Sequence, residues 1–454
     1  MTQVKEAAYL IEQHQYDAVT TARFTKEEVS VYYKAYLAAT EDLLVVEIGM
    51  EGRESLEGSV LISLPGEKEI MYKPPRERVF PDIRENEITA DGVHYLSRAF
   101  EDSVDIPTKA SMALRMEGSQ DGRFTLQPGK PVRFVCAFSS NFKSDDCTAS
   151  VIQKVTNCTS GQLAQIEKDH KQWWKDYWEK SYVSISDSVI EKQYYLSLYG
   201  MGSCSRDLDF PPSIFGSWIT KERPYWNGDY HLNYNHMAPY YALYSANRIE
   251  QADPYYMPLL ASIPRGNYYS EKVTGIPGGI LLPVGAGPLG IETTRRTPFM
   301  DAYFYDWIES GNIEDEGMFW GQKSNSAYAV VNMAMQVYRT WDKAYAQRVY
   351  PFVKGVAVFW ENYLTLEGDR YVIYNDAIHE GTVGTMNPIL SLGLVRMVMQ
   401  TIMDMSAFLG VDEDKRVQWT FIRDHLSDYP LQERNGKTVF RYTEKGTDWW
   451  NDKT

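Results

Sequence analysis

The sequence predicts a two-part protein, with a β-rich amino-terminal domain followed by a larger helical domain. Residues 1–155 alternate short apolar runs with Gly, Pro, Asp and Asn turns, whereas later segments carry apolar residues at helical spacing. A chain of 454 residues also exceeds what one ordinary core organises, so two domains are expected. Between the predicted helices, short turns alternate with long loops rich in functional side chains, which favours an α-helical toroid.

Five short runs in the amino-terminal domain have the composition of strands. They are Val29–Tyr33, Leu43–Ile48, Gly58–Leu64, Arg123–Leu126 and Val132–Phe138. Turn pairs such as Asp91-Gly92 and Asp121-Gly122 separate runs of this kind. Repeated short strands predict a β-sandwich over residues 1–155. We find no catalytic constellation in it and expect a supporting role.

A linker helix is predicted over residues 156–185. Its apolar residues fall close to helical spacing, with Lys and Glu between them: Leu163, Ile166, Trp173, Trp174 and Tyr177. The helical domain is then expected to occupy residues 186–454.

The helical domain is predicted from apolar stripes at three- and four-residue spacing. The segments are 188–201, 240–249, 326–341, 349–363 and 395–409. The last stripe contains methionines, which at this spacing are typical of a packed core. We expect roughly six or seven helices, whereas a closed (α/α)6 toroid of six hairpins needs about twelve. The predicted toroid is therefore incomplete at its carboxyl end.

Composition excludes several partners. The net charge of −15 comes from 46 Lys and Arg against 61 Asp and Glu, and no basic stripe is visible, so nucleic acid is not expected. No apolar run approaches the roughly 20 residues of a membrane helix, so no membrane partner is expected. The amino terminus carries no signal segment. Localisation stays open, because an exported parent protein is compatible with these features.

No cofactor or metal is predicted. Gly285-Ala-Gly287 is not a dinucleotide fingerprint, because no third glycine opens a helix and Pro288 interrupts the run. The cysteines form no CxxC pair, and we expect free buried thiols, with one disulfide as the alternative. The four are Cys136, Cys147, Cys158 and Cys204.

The stretch 214–236 has the composition of a sugar site. Rings such as Trp218, Trp226 and Tyr230 lie close in sequence to short polar side chains such as Asp229 and His231. Sugar faces stack on rings while hydroxyls take hydrogen bonds, and a packed core has no use for so many polar groups. The alternative is an aromatic loop buried between helices.

Two later loops are also candidates for the site. The Gly- and Pro-rich connection 263–298 is long enough to form the wall of a cleft. The segment 371–382 is a short extended run that ends in Asn375, Asp376, His379 and Glu380.

Two segments carry a family resemblance. Residues 211–218 and 224–235 resemble the signature segment of family 95 glycoside hydrolases, and residues 340–360 resemble the helix that precedes the catalytic acid of that family. The resemblance is specific over about residues 190–430. It implies α-L-fucosidase or α-L-galactosidase activity on glycans, from a β-sandwich, a linker and an (α/α)6 barrel.

The resemblance also implies individual roles. Glu380 corresponds to the general acid, while His231, Asn233 and Asn235 correspond to a His-x-Asn-x-Asn motif. We expect Glu380, Asn233 and Asn235 to be catalytic, with neighbours that raise the pKa of Glu380. Asp376 competes for the acid role. The family's general-base Asp lies in a later part of the barrel that this chain does not reach. The expected substrate-binding residues are His231, Trp218, Trp226, Asp229, Trp320 and His379.

Three functions remain open from sequence. The first is an inverting glycosidase that acts on a terminal α-linked fucose- or galactose-like sugar of an oligosaccharide or polysaccharide. The second is a polysaccharide lyase, which would need cations near an acidic sugar, and Lys221 and Arg223 are the ones nearby. The third is a non-catalytic glycan-binding fragment. It follows if the general base is absent.

Overall fold

In a computed structural model, the chain forms two compact units, Met1–Ser184 and Ile185–Thr454, each of which is described by itself. The residues described are 6–64, 69–70, 77–78, 83–101, 104, 106–119, 121–219, 224–291, 293, 321–380, 382 and 384–446.

The first unit contains twelve described strands. They are β1 Ala8–His14, β2 Val19–Lys26, β3 Val29–Leu37, β4 Leu43–Glu51, β5 Leu56–Ser59, β6 Glu69–Ile70, β7 Glu77–Arg78, β8 Ile83–Ile88, β9 His94–Phe100, β10 Thr108–Met116, β11 Arg123–Leu126 and β12 Val132–Ser140. Eight of them form one antiparallel sheet in the order β1-β2-β3-β4-β12-β10-β9-β8. β5 pairs with β11, and β6 pairs with β7.

The prediction of a β-rich amino-terminal domain is confirmed, but its described strands are not divided between the two large sheets of the predicted β-sandwich. The described strands join into one large sheet and two small pairs. The run predicted over Gly58–Leu64 is shorter, because β5 ends at Ser59. All five predicted strand regions otherwise contain a strand.

Two helices complete the core of the first unit: α1, Cys147–Asn157, and α2, Ser160–Glu179. Val151 and Val155 of α1 and Leu163 of α2 belong to the same buried cluster as sheet residues such as Val45 and Val135. Each such side chain contributes about 1.5–3 kcal/mol on burial. The predicted linker helix therefore lies inside the first unit and contributes to its core.

The cysteines are free thiols, as expected. Cys136 and Cys147 are buried, and Cys158 and Cys204 are partly buried. Burial raises the pKa of Cys136 to about 12 and that of Cys204 to about 11. The thiols of Cys136 and Cys204 are therefore protonated and unreactive at neutral pH.

The second unit is helical between its loops. Its described helices are α3 Ser188–Cys204, α4 Tyr241–Ser245, α5 Ile249–Ala252, α6 Met257–Ala261, α7 Ile263–Thr274, α8 Asn325–Thr340, α9 Lys343–Tyr363, α10 Ile389–Leu409 and α11 Arg416–His425. Its described strands pair as β13 Thr365–Glu367 with β14 Arg370–Val372, and β15 Leu431–Arg434 with β16 Lys437–Phe440.

The long helices α8, α9 and α10 pack on one another and form the core of this unit. Val353 and Trp360 of α9 and Met399 of α10 are completely buried. The methionine-containing stripe is therefore core, as predicted. The sequence predicts no apolar run of membrane-spanning length, but α10 is long and apolar enough by length and composition, and 56% of its most apolar window is buried inside the protein.

Two sequence expectations for this unit change. The helix predicted over 240–249 is divided into α4 and α5, because Asn247 adopts a left-handed φ of 59°. The connection 263–298 contains the helix α7 and then a buried segment, in which Ile280, Leu281 and Leu282 are at most 1% exposed.

Candidate active site

The His231 loop is attached to the buried segment that follows α7. The backbone N–H of Tyr230 donates to the carbonyl of Ala286 at 2.8 Å, and that of Leu232 donates to Val284 at 2.5 Å. The side chains of Tyr230 and Leu232 are buried. The Gly- and Pro-rich connection therefore holds the site loop in position, where we had expected it to form a cleft wall.

His236 anchors the far end of this loop. Its Nε2–H donates to the carbonyl of Tyr255 at 3.2 Å. Its ring stacks on Tyr255 with centroids 4.7 Å apart and also lies 4.8 Å from Tyr230. Burial lowers the pKa of His236 from 6.5 to about 4, because the charged ring would lose its hydration.

This shift makes the second unit sensitive to acid. The unfolded chain takes up the His236 proton first as the pH falls from about 6.5 to about 4, so the free energy of unfolding decreases in that window. Each unit of pKa corresponds to about 1.4 kcal/mol, so the loss is roughly 3 kcal/mol. Urea unfolding across this pH range measures it. The His236→Gln variant keeps a donor and does not titrate, so a pH dependence as steep as that of the parent protein would contradict the assignment.

The loop that carries Glu380 is closed at its neck. Ile373 and Asn387 are joined by backbone and side-chain hydrogen bonds of 2.8 Å. Asp376 and Thr385 pair through both backbone groups, at 3.2 and 2.9 Å. Near the tip, the Thr382 hydroxyl donates to the carbonyl of His379 at 2.6 Å. Glu380 thus projects from a short loop whose ends are fixed.

Glu380 meets the His231 loop through one of its oxygens. The Asn233 amide donates to Glu380 Oε1 at 2.6 Å, and His231 Nε2 lies 3.3 Å from the same oxygen. The Asn233 amide is itself held by Gln322 Oε1 at 3.3 Å. Residues that are far apart in the sequence thus converge on a single carboxylate.

Asp229 lies on the other side of His231. Its Oδ1 is 3.0 Å from His231 Nδ1 and accepts the His231 backbone N–H at 3.1 Å. Its Oδ2 accepts from the Thr293 hydroxyl at 3.3 Å. Asp229 is 3% exposed, so it is a buried partner of His231. We had expected it to bind substrate directly.

The contacts among Asp229, His231 and Glu380 shift the pKa of Glu380 in the direction opposite to the predicted one. Burial alone would lower the pKa of His231, but hydrogen bonds to Asp229 and Glu380 raise it to about 9. The hydrogen bond from His231 lowers the pKa of Glu380, burial opposes that shift, and Asn233 adds to it. The expectation that neighbours raise the pKa of Glu380 is therefore wrong for the free protein.

A cleft of about 700 Å³ opens at Glu380. The Trp226 ring is 59% exposed and lies 5.9 Å from the His231 ring. Among the described residues that line the cleft, Glu380 is the one with a carboxylate. The others are Ile214, Trp226, His231, Asn233, Tyr234, Asn235, Tyr328, Ile378, His379, Ile389, Leu390 and Tyr442.

The remaining predicted residues are placed differently. Trp218 lines an adjoining apolar cavity of about 380 Å³, beside α3, which shares Ile214 and Asn235 with the Glu380 cleft. Trp218 itself is absent from the described lining of that cleft. Asp376 is fully buried and accepts the backbone N–H groups of Lys323 at 2.9 Å and Ala377 at 2.8 Å. It is an anchor, which leaves Glu380 as the candidate acid. Trp320, Lys221 and Arg223 lie outside the described residues.

Several residues of this site carry no signal in the sequence. Gln322 fixes Asn233, and Tyr328 and Tyr442 line the cleft. Tyr328 lies on the helix α8 and Tyr442 follows β16, and neither has a neighbouring motif that would have revealed it. In the described part of the chain, no group of three or more His, Cys, Asp or Glu side chains is placed to hold a metal ion.

Comparison with known proteins concerns the family and the fold of the chain. The chain is 22% identical over 245 residues to "Probable alpha-fucosidase A" of Aspergillus niger, a match that covers 49% of this chain and 29% of that protein. Its fold is similar to that of "Putative kojibiose phosphorylase from human microbiome", with a TM-score of 0.65, 10% identity, and coverage of 97% of this chain and 59% of that one.

That likeness concerns the fold, and the class of protein, a glycoside hydrolase, is defined by a match to a sequence profile. The sequence profile of the "Glycosyl hydrolase family 95 catalytic domain" matches residues 149–438, which is well over half of the chain. The chain therefore belongs to glycoside hydrolase family 95. It spans less than two thirds of the length of each relative described above.

Proposed function

We propose that this chain is an inverting exo-glycosidase. Its substrate is a terminal α-linked fucose- or galactose-like sugar on an oligosaccharide or polysaccharide. The observation that carries the proposal is the convergence of His231 and Asn233 on Glu380 Oε1 at the edge of the cleft. Glu380 is the general acid for the leaving oxygen.

The two asparagines have separate roles in this proposal. Asn233 already donates to Glu380, so it orients the acid. Asn235 is exposed in the cleft, where its amide can hold the attacking water. Trp226 offers an exposed face on which a sugar ring stacks, and His379 lines the same cleft. Inversion also requires a second carboxyl roughly 6.5–9.5 Å from the acid.

The experiment is hydrolysis followed by proton NMR. We expect turnover of an α-L-fucoside or α-L-galactoside, with the β-anomer of the free sugar appearing first. The α-anomer appearing first would overturn inversion. Release of an unsaturated uronate from an acidic polysaccharide would favour the lyase.

One observation favours a second candidate function, a glycan-binding module. Glu380 is the one carboxylate among the described residues of the cleft, whereas inversion uses two. Calorimetric binding of fucosylated or galactosylated glycans without any turnover would support this second function and overturn the first.

A further inference from the structure

The contacts of Asp229 fix the tautomer of His231. The Asp229 carboxylate accepts from the His231 backbone N–H and from the Thr293 hydroxyl, and it lies 3.0 Å from His231 Nδ1. Since an ionised carboxylate can only accept, Nδ1 carries a hydrogen. This leaves Nε2 as the nitrogen through which His231 acts on Glu380.

The contact between His231 and Glu380 then contains one mobile proton. His231 Nε2 and Glu380 Oε1 are 3.3 Å apart. If the carboxyl is ionised, Nε2 must donate; if the carboxyl is protonated, Nε2 can accept. Asn233 donates to the same oxygen in either case. The two protonation states therefore differ only in the position of a proton along one contact.

We propose that Asp229 is a positioning residue that makes His231 and Glu380 hold one proton jointly, so that the pair supplies the proton needed by the leaving group. This inference rests on the proposed role of Glu380. It assigns to Asp229 a function without substrate contact, consistent with its burial beneath His231.

The chemical balance is that of inverting hydrolysis. The bond between the anomeric carbon and the leaving oxygen breaks, and the electron pair stays on that oxygen. The proton held by His231 and Glu380 goes to the leaving oxygen, and water forms the new bond and gives a proton to the general base. The pair regains its proton from solvent after the products leave.

Substrate binding favours transfer of the proton toward Glu380. In the free protein the pair is an imidazolium beside a carboxylate, as the opposite pKa shifts of the two groups indicate. A sugar that fills the cleft removes water from both charges, and desolvation disfavours an ion pair relative to a neutral one. The neutral pair contains a protonated Glu380, which is the form that a general acid requires.

The charged groups that act on His231 come from two elements. Asp229 lies on the same loop as His231, and Glu380 lies on the loop that is closed between Ile373 and Asn387. His379 lies on the same loop as Glu380 and its charge lowers the pKa of Glu380. The charge of Lys323 opposes the rise that burial causes in the pKa of Asp376. Asp229 is the partner that does not face the cleft, so its charge can be removed while Glu380 remains.

The test is Asp229→Asn, which keeps the shape of the side chain and removes its charge. NMR titration of the His231 ring should show its midpoint fall from about 9 toward 6.5. The basic limb of kcat/KM should move down by about two pH units, so activity falls roughly tenfold at pH 8 and by less than about threefold at pH 5.5. Asp229→Glu should recover part of the shift.

Asp412→Asn is the matched control, because Asp412 pairs with Lys354 and Tyr350 outside the residues of the cleft. It should leave both the His231 titration and the pH profile unchanged. An unchanged His231 midpoint in Asp229→Asn, or a loss of activity that is equal at all pH values, would overturn the proposal. The ring titration is measured without turnover, so failure of the proposed function alone would leave it intact.

Discussion

Glu380→Gln is expected to lower kcat/KM on a natural glycan by about 10³-fold. Positioned general acids contribute about 10²–10⁴-fold, and a glutamine cannot deliver a proton to the leaving oxygen. The amide still offers an acceptor to Asn233 and His231, so sugar affinity should change by less than about fivefold. Steady-state kinetics and calorimetry measure the two quantities separately.

A substrate with an activated leaving group tests specifically whether Glu380 acts as an acid. An aryl glycoside with a nitrophenol leaving group needs little protonation, so the loss in Glu380→Gln should shrink to about tenfold. Glu271→Gln is the control, because Glu271 is a partly exposed residue of α7 that pairs with Lys272. Equal losses on both substrates would contradict the role of Glu380 as an acid.

Asp376→Ala is expected to lower the free energy of unfolding by about 3 kcal/mol. The change leaves the buried N–H groups of Lys323 and Ala377 without their acceptor, and each buried unsatisfied group costs about 1–3 kcal/mol. Asp376→Asn keeps an acceptor oxygen and should lose less than half as much. Urea unfolding at neutral pH measures both variants.

Activity distinguishes Asp376 from Glu380. Below its unfolding temperature, Asp376→Asn should keep kcat/KM within about tenfold of the parent, because Asp376 is absent from the lining of the cleft. A fall as large as that of Glu380→Gln would instead return the acid role to Asp376.

The sequence pattern alone was sufficient to predict those elements whose ends are set by residues of the same segment. The helix predicted from Ser326 to Trp341 is found as α8 within one residue at each end, because its apolar stripe and the left-handed Trp341 define it. The start of α2 is likewise local, since Thr159 and Gln162 form a capping box. The site residues His231, Asn233 and Glu380 came from motifs in the same way.

Contacts between segments that are far apart in the sequence could not be predicted. Gln322 has no motif, and its role exists only because Asn233 lies 3.3 Å away. Trp218 belongs to the same aromatic stretch as Trp226, yet Trp226 lines the Glu380 cleft and Trp218 lines the cavity beside it. Asp229 and Asp376 were candidates for direct chemistry, and their burial makes them supports.

The sequence by itself determined the two-part architecture, the family and the identity of the candidate acid, since periodicity and motifs are properties of short segments. The tertiary structure decided the electrostatics. His231 and Asn233 approach Glu380 from another part of the chain, and their hydrogen bonds lower its pKa, although its own neighbours in sequence suggested a raised value. A pKa depends on burial and on charges within a few ångströms, and folding alone sets both.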